Sequence, residues 1–284
     1  MLKGILDVVY KSYEYLLTRE VEEFPVPKHV AIIMDGNRRY AKNMGKAGYY
    51  GHKLGSDTTE KVIEWACEIG IEEMTVYAFS TENFSRPPEE TEKLFELIDT
   101  RLNEMVEDER THNRQMKIRA VGDRKRLPQY LQDSIERAEK ATCHYENFKL
   151  NVALAYGGRQ DIIQAVQEIA RKVKRGDLTV EKVNESTISN HLYPDCEQPV
   201  SDVDMIVRTG GNERVSNFLP WQANGNECTA YFCAPYWPMF RKIDFLRAIR
   251  VYQARLTKKK GYGRLSRISH FLKNLYILAN SQSD

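Results

Sequence analysis

Two stretches of this chain set glycines, arginines and a short polar side chain directly behind an apolar run. The first is Asp35-Gly36-Asn37-Arg38-Arg39, which follows HVAIIM. A carboxylate at the end of a strand can hold a hard cation, and Mg²⁺ takes one or two carboxylates completed by phosphate oxygens and water. Gly36 permits a tight turn in which backbone N–H groups approach a phosphate. Asn37 can donate to an oxygen of a leaving diphosphate, and Arg38 and Arg39 can fork onto phosphate oxygens. Asp, Gly and Asn also dominate ordinary turns, so these three alone read as a turn; the paired arginines behind an apolar strand shift the reading toward phosphate. No GxxxxGK[ST] is present, so the loop is not a Walker-type P-loop.

The second stretch is Arg208-Thr209-Gly210-Gly211-Asn212-Glu213-Arg214-Val215-Ser216. Arg208 interrupts the end of an apolar strand, where a guanidinium without an anionic partner is costly. It can pair with Asp202 or Asp204 nearby, or join Arg214 and Ser216 on a diphosphate. Two separate arginine-bearing glycine loops suggest two phosphate sites. Between them lie Gly51-His52 and Phe79-Ser80-Thr81-Glu82-Asn83-Phe84-Ser85-Arg86-Pro87. His52, at a helix start, can carry a proton near neutral pH and bond a diphosphate or Asp35, although such a histidine also serves as a cap. Ser80 and Asn83 are polar tips where a ligand should lie, and Phe79 and Phe84 can wall an apolar substrate. The plainer role of this loop is helix capping, with Glu82 solvated.

Short apolar runs that read as buried strands must carry these loops: 29–35, 74–79, 117–121, 149–156, 205–208 and one near 230–233. Helical stripes alternate with them. Val62, Trp65, Ala66 and Ile69 share one face, as do Leu94, Ile98, Leu102, Met105 and Val106; 128–142 and 161–173 supply two more. The alternation predicts an α/β fold, with a mostly parallel central sheet of about six strands and helices on both faces. In such folds ligands bind beyond the C-terminal strand ends, where strand order switches.

Residues 1–24 form an N-terminal amphipathic helix with a stripe at Leu2, Ile5, Leu6, Val9, Tyr13, Leu16 and Leu17. Pro25 and Pro27 separate it from a domain over 25–256. Residues 257–284 hold a basic turn, Lys258-Lys259-Lys260-Gly261, and a second stripe at Ile268, Phe271, Leu272 and Leu275. Both terminal helices are expected to pack on the domain or a partner subunit; contact with a membrane surface is the alternative.

Composition narrows the function. The 284 residues are 42% hydrophobic and 29% charged with a net charge of +2, which argues against a general nucleic-acid binder. No apolar run reaches the ~18 residues that would cross a bilayer. The N-terminus lacks the pattern of a signal peptide. The five cysteines are scattered, with no CxxC pair, as expected of reduced thiols in a cytoplasmic protein.

Over about His29 to Arg255 the chain resembles the cis-prenyltransferases, the undecaprenyl and dehydrodolichyl diphosphate synthase family. The motifs are HVAIIMDGNRRYA, Gly51-His52, YAFSTENFSRP, and RTGGNERVSNFLPWQ followed by YF and WP; the GNE…YF…WP region is most similar to archaeal members. The resemblance implies an α/β domain with an apolar tunnel, acting as a homodimer. It implies repeated cis condensation of isopentenyl diphosphate with an allylic diphosphate of farnesyl or geranylgeranyl type, dependent on Mg²⁺. Asp35 would be the metal-linked carboxylate, with Glu227 joining it. Gly36, Asn37, Arg38, Arg39, Tyr40 and His52 would hold the allylic diphosphate, and Arg208, Arg214 and Ser216 isopentenyl diphosphate. Phe79, Ser80, Glu82, Asn83, Phe84 and Arg86 match the loop that closes the site. Asp35, Asn37, Ser80 and Asn83 are the candidate catalytic groups.

Three departures stand out. Gly48 lies where the family commonly has arginine, a contact that Arg38 can replace. Tyr40 and Phe84 stand where bacterial members often have tryptophan. Two extra residues separate Glu227 from Tyr231-Phe232. The same residues allow two other readings: a prenyltransferase that does not elongate and uses another acceptor, or a non-catalytic accessory subunit.

Overall fold

The computed structural model describes residues 2–193, 198–223 and 227–259. In chain order the elements are α1 (Leu2–Glu22), β1 (His29–Ile33), α2 (Asn37–Asn43), α3 (Gly48–Glu68), β2 (Glu73–Tyr77), α4 (Pro88–Glu107), α5 (Glu109–Asn113), β3 (Met116–Val121), α6 (Gln129–Thr142), β4 (Phe148–Ala153), α7 (Gly158–Arg175), α8 (Glu185–Ser189), β5 (Met205–Arg208), β6 (Thr229–Phe232) and α9 (Lys242–Lys259). The six strands form one sheet in the order β3-β4-β2-β1-β5-β6, and every neighbouring pair is parallel. The chain leaves β1 toward β2 on one side and returns to β5 on the other. The C-terminal ends of β1 and β5 therefore flank the switch in strand order, where a crevice opens.

Alternate strand residues serve two cores, as the two-residue period requires. Val30, Ile32, Met74, Val76, Ile118, Leu150, Met205 and Val207 pack with Val62, Ile63, Leu94, Leu131, Leu246 and Ile249 from the helices. Ala31, Ile33, Val121, Ala153 and Ile206 pack with Phe218 and Leu219 on the other face. Burial on both faces explains the apolar runs of β1 and β5, while β2, β3 and β4 also bury Glu73, Arg119 and Asn151, which bond one another.

Several boundaries differ from expectation. β1 ends at Ile33 because the Asp35 N–H turns back to the Ile33 carbonyl at 2.9 Å, which leaves Asp35 in the loop. α3 begins well before its apolar stripe; its first turns carry the buried Gly51 and Gly55, which add no apolar signal. Proline opens α4 at Pro88, its favoured position. α9, not foreseen from the sequence, buries Ile243, Phe245, Leu246, Ala248 and Ile249. It also runs through Lys258 and Lys259, where a basic turn was expected. The predicted C-terminal helix lies outside the described residues.

α1 packs against α9. Leu17 and Val21 are buried, Arg250 pairs with Glu20 at 2.5 Å, and the Gln253 amide donates to the Val21 carbonyl at 2.8 Å. Of the expected stripe, Leu17 faces inward while Tyr13 and Leu16 are exposed, as are Val8 and Tyr15 outside it, each 65% accessible; the side chains of Leu2, Ile5, Leu6 and Val9 lie outside the description.

Candidate active site

Asp35 sits at the rim of the β1–β5 crevice. Its backbone carbonyl accepts from Thr209 Oγ1 at 2.7 Å and from the Trp237 N–H at 3.0 Å. Its carboxylate accepts from Arg208 at 2.9 Å, Asn212 at 2.7 Å and Arg39 at 3.0 Å. Burial alone would raise its pKa, but the bonds from Arg208, Asn212 and Arg39 prevail and hold it below the ordinary value. The group is a carboxylate at neutral pH.

Arg208 is buried. It does not pair with Asp202 or Asp204: Asp204 instead accepts the N–H groups of Lys28 and His29. One guanidinium nitrogen reaches Asp35, and the other donates to Ser216 Oγ at 2.6 Å and to the Arg214 carbonyl. Its Nε is buried without a partner. The structure thus joins Asp35, Arg208, Arg214 and Ser216 from two loops far apart in the sequence.

Gly36 caps α2 with φ of 109°. A Cβ there would stand 2.7 Å from the Tyr236 ring and 2.9 Å from the Tyr236 Cα, so the turn needs glycine. On α3, a Cβ at Gly51 would fall 2.0 Å from the Asn37 carbonyl oxygen and one at Gly55 2.4 Å from Asn37 Oδ1. These two glycines let α2 lie against α3 and bring Asn37 and His52 to one wall. Asn37 Oδ1 and His52 Nε2 are both buried without partners. Burial first, then the charges of Arg86 and Arg38, push the His52 pKa down to about 4. The expected proton near neutral pH is therefore absent: His52 is a neutral imidazole.

Arg38 pairs with Glu90 at 3.1 Å, and Glu90 also holds Arg86 at 3.5 Å. A Cβ at Gly48 would meet only Arg38 Cγ, at 3.7 Å. The Arg38 stem thus passes beside Gly48. Arg39 is half exposed, bonds Asp35 and lies 5.2 Å from the centre of the Tyr236 ring.

A cavity of about 690 Å³ leads inward from this cluster. Its polar end is lined by Asp35, Asn37, His52, Ser80, Asn83, Arg86, Arg208, Asn212, Arg214 and Ser216. Beyond these the wall turns apolar with Ile63, Val76, Leu94, Leu97, Ile98, Leu102, Met105, Leu150 and Val152, and it ends among charged groups that include Glu60, Asp108, Arg110 and Arg114. From α4 the stripe residues Leu94, Ile98, Leu102 and Met105 line the cavity; from α3 the core residue Ile63 does so, while Val62 and Ala66 do not.

The loop after β2 both lines and caps. The Ser80 N–H donates to Asn83 Oδ1 at 3.1 Å, which closes a 3₁₀ turn over Thr81–Ser85. Phe79 and Phe84 are not in the cavity wall. Phe79 is buried in the core, with its ring 4.9 Å from Phe84 and 4.7 Å from Phe95, and Arg126 covers Phe84 at 4.1 Å. An aromatic after a strand packs wherever apolar area is available, here behind the wall. Glu82 is exposed, and Tyr40 is half-buried on α2; neither is among the cavity-lining residues.

Glu227 requires a correction. It is exposed and lies just before β6, whose Thr229 pairs with Met205, while Arg208 pairs with Phe232. In a parallel sheet this places Glu227 at the N-terminal rim, opposite Asp35. Within one chain it cannot share a metal ion with Asp35.

Sequence reasoning missed Asn212, which bonds Asp35, and Tyr236 and Trp237, which seat Gly36 and α3. Trp237 Nε1 donates to the Gly55 carbonyl at 2.8 Å. The tryptophan in the WP motif was the available signal.

The site fits Mg²⁺ of one kind. Among the described residues, no three His, Cys, Asp or Glu side chains converge, so there is no all-protein cage. One ionised carboxylate among Arg39, Arg208 and Asn212 suits an ion completed by diphosphate oxygens and water.

Residues 33–261 match the family Prenyltransf, described as "Putative undecaprenyl diphosphate synthase". The chain belongs to the cis-prenyltransferase family. Relatives include the tritrans,polycis-undecaprenyl-diphosphate synthase (geranylgeranyl-diphosphate specific) of Methanosarcina mazei, 56% identical over 96% of this chain and 92% of that protein. The protein of the same name in Halobacterium salinarum is 49% identical over 90% of this chain and 83% of its own length. Among solved structures, lavandulyl diphosphate synthase from Lavandula x intermedia in complex with dimethylallyl diphosphate superimposes with a TM-score of 0.74. It is 34% identical, covering 80% of this chain and 95% of that chain. As a cis-prenyltransferase the chain is a transferase that builds polyprenyl diphosphate from isopentenyl diphosphate and an allylic primer.

Proposed function

We propose that this chain elongates geranylgeranyl diphosphate with isopentenyl diphosphate, releasing diphosphate at each cycle and leaving each new double bond cis. The observation that carries the reading is the cavity. It joins the Asp35–Arg208 cluster to an apolar wall on α3, α4 and the sheet, the arrangement a lengthening hydrocarbon needs.

Asn37, Arg39 and His52 hold the allylic diphosphate at the mouth, with Arg38 beside them once it leaves Glu90. Arg208, Arg214 and Ser216 hold isopentenyl diphosphate. Asp35 would hold Mg²⁺, which would supply positive charge to the departing diphosphate. The isopentenyl double bond forms the new C–C bond, and a proton is lost. Asn37 and Ser80 offer acceptor oxygens on the cavity wall for that proton, alongside diphosphate itself. Arg208, held between Asp35 and Ser216, links the two substrate positions, and fixed geometry of this kind supplies much of the rate. Each methylene buried in the apolar wall adds about 0.8 kcal/mol, which draws the growing chain inward.

The enzyme acts in this reading as a cytoplasmic homodimer, with the exposed Val8, Tyr15 and Leu16 on α1 as its membrane contact. Sedimentation and vesicle flotation check these claims separately. The central test supplies purified protein with Mg²⁺, labelled isopentenyl diphosphate and either farnesyl or geranylgeranyl diphosphate. A long polyprenyl product made preferentially from the geranylgeranyl primer supports the reading. A product of one condensation with every primer would replace it with a non-elongating transferase, and no turnover would replace it with an accessory subunit.

A further inference from the structure

The loop that follows β5 carries an unusual amount of backbone strain. Ser216, Asn217 and Leu219 are all left-handed, with φ of 49°, 59° and 48°. A left-handed L-residue costs on the order of 1 kcal/mol, least for Asn. Such a loop holds its shape only where its surroundings fix it. Its shape matters, because one guanidinium nitrogen of Arg208 is bonded to the Arg214 carbonyl and Ser216 Oγ, both from this exposed loop.

The fixing contacts lie one residue beyond Ser216. The Asn217 carbonyl accepts from the Gly158 N–H at 2.9 Å, and Asn217 Oδ1 accepts from the Arg159 N–H at 2.9 Å. These are the first N–H groups of α7, which have no partner inside their own helix. Asn217 thus caps a helix remote in sequence rather than its own. Phe218 reinforces the contact, fully buried and stacked on Tyr77 at 4.3 Å. Gly158 also lets the loop approach: a Cβ there would stand 2.0 Å from Pro220 Cδ.

We propose that Asn217 is a positioning residue for isopentenyl diphosphate. By latching the loop to the N-terminus of α7, it holds Ser216 and the Arg214 backbone against Arg208. The proposal rests on the assignment of this loop to isopentenyl diphosphate. A residue that only stabilised the fold would alter both substrates alike; a latch acts on one.

The test is steady-state kinetics of the full chain with each substrate varied. Asn217→Gly keeps the left-handed backbone and deletes Oδ1. It is expected to raise KM for isopentenyl diphosphate about five-fold, the equivalent of one net hydrogen bond, and to leave the primer KM within about two-fold of wild type. Asn217→Asp keeps the acceptor and tolerates the backbone, so it restores the isopentenyl KM. Gly158→Ala, which pushes on Pro220, gives the same selective rise by a second route and decides the matter if Asn217→Gly does not fold. A folded Asn217→Gly or Gly158→Ala with wild-type KM for isopentenyl diphosphate, or an equal rise for both substrates that Asp does not restore, overturns the latch. Ser216→Ala separates the two layers. If it leaves the isopentenyl KM unchanged, the loop's assignment fails, and the proposal with it. If Ser216→Ala raises that KM and Asn217→Gly does not, the latch alone fails.

Discussion

Arg208 and Asp35 meet at 2.9 Å, although 173 positions separate them in the chain. One ends β5 and the other follows β1, so the contact exists only because those strands are neighbours. It places a buried guanidinium against a carboxylate that faces the cavity.

The pair makes stability depend on acid in a defined way. The Asp35 pKa is held below its ordinary value of 3.8, so its contribution is complete above that value and is lost as pH falls through the lower folded value. Asp35→Asn should be about 1–2 kcal/mol less stable than wild type at neutral pH. The gap should close as pH drops below 3.8. Urea unfolding of the two proteins across that range measures it.

His52 acts in the same direction at higher pH, here because burial favours the neutral form. Its folded pKa is lowered from 6.5 to about 4, so the unfolded chain takes up a proton first as pH falls. Wild type should lose stability between those two values, by about 3 kcal/mol at most. His52→Asn should lack that part of the loss. Unfolding free energies at a series of pH values, compared between the two, isolate the residue.

Gly36→Ala should destabilise the protein far more than Gly45→Ala. Both glycines have positive φ, but only at Gly36 would the methyl meet Tyr236, side chain and backbone; nothing lies within 4 Å at Gly45. The overpacking adds about 1–3 kcal/mol. Thermal unfolding of both variants gives the comparison.

Ile98 lines the apolar part of the cavity. Ile98→Trp fills that space and should shorten the polyprenyl product while the first condensation continues. Mass analysis of the products reads this directly; an unchanged length distribution from the folded variant would take this wall out of the chain's path.

Much of the architecture was legible because strands covered on both faces are rich in apolar residues, and six such runs alternate with helical stripes. The two loops that meet at the cavity mouth stood out because glycine, arginine and a carboxylate recur behind those runs. What escaped depended on approach between distant segments. Asn212 in a glycine-rich loop reads as a turn residue until the fold brings it 2.7 Å from Asp35. The neutral state of His52 comes from burial and from arginines on other elements. Phe79 and Phe84 share a loop with cavity residues, but spacing along an irregular segment does not reveal which way a ring faces. Glu227 was misplaced because its distance from Tyr231-Phe232 hides that β6 begins between them, at Thr229.

The central claim is that the Asp35 carboxylate, set among arginines at the strand-switch crevice, is required for diphosphate departure. The most direct measurement is Mg²⁺-dependent incorporation of labelled isopentenyl diphosphate by wild type and by a folded Asp35→Ala variant, with circular dichroism to confirm the fold. Activity reduced on the order of a thousand-fold, as expected when a key electrostatic contact to the reacting group is removed, is the predicted result. Normal incorporation by the folded variant would contradict the account.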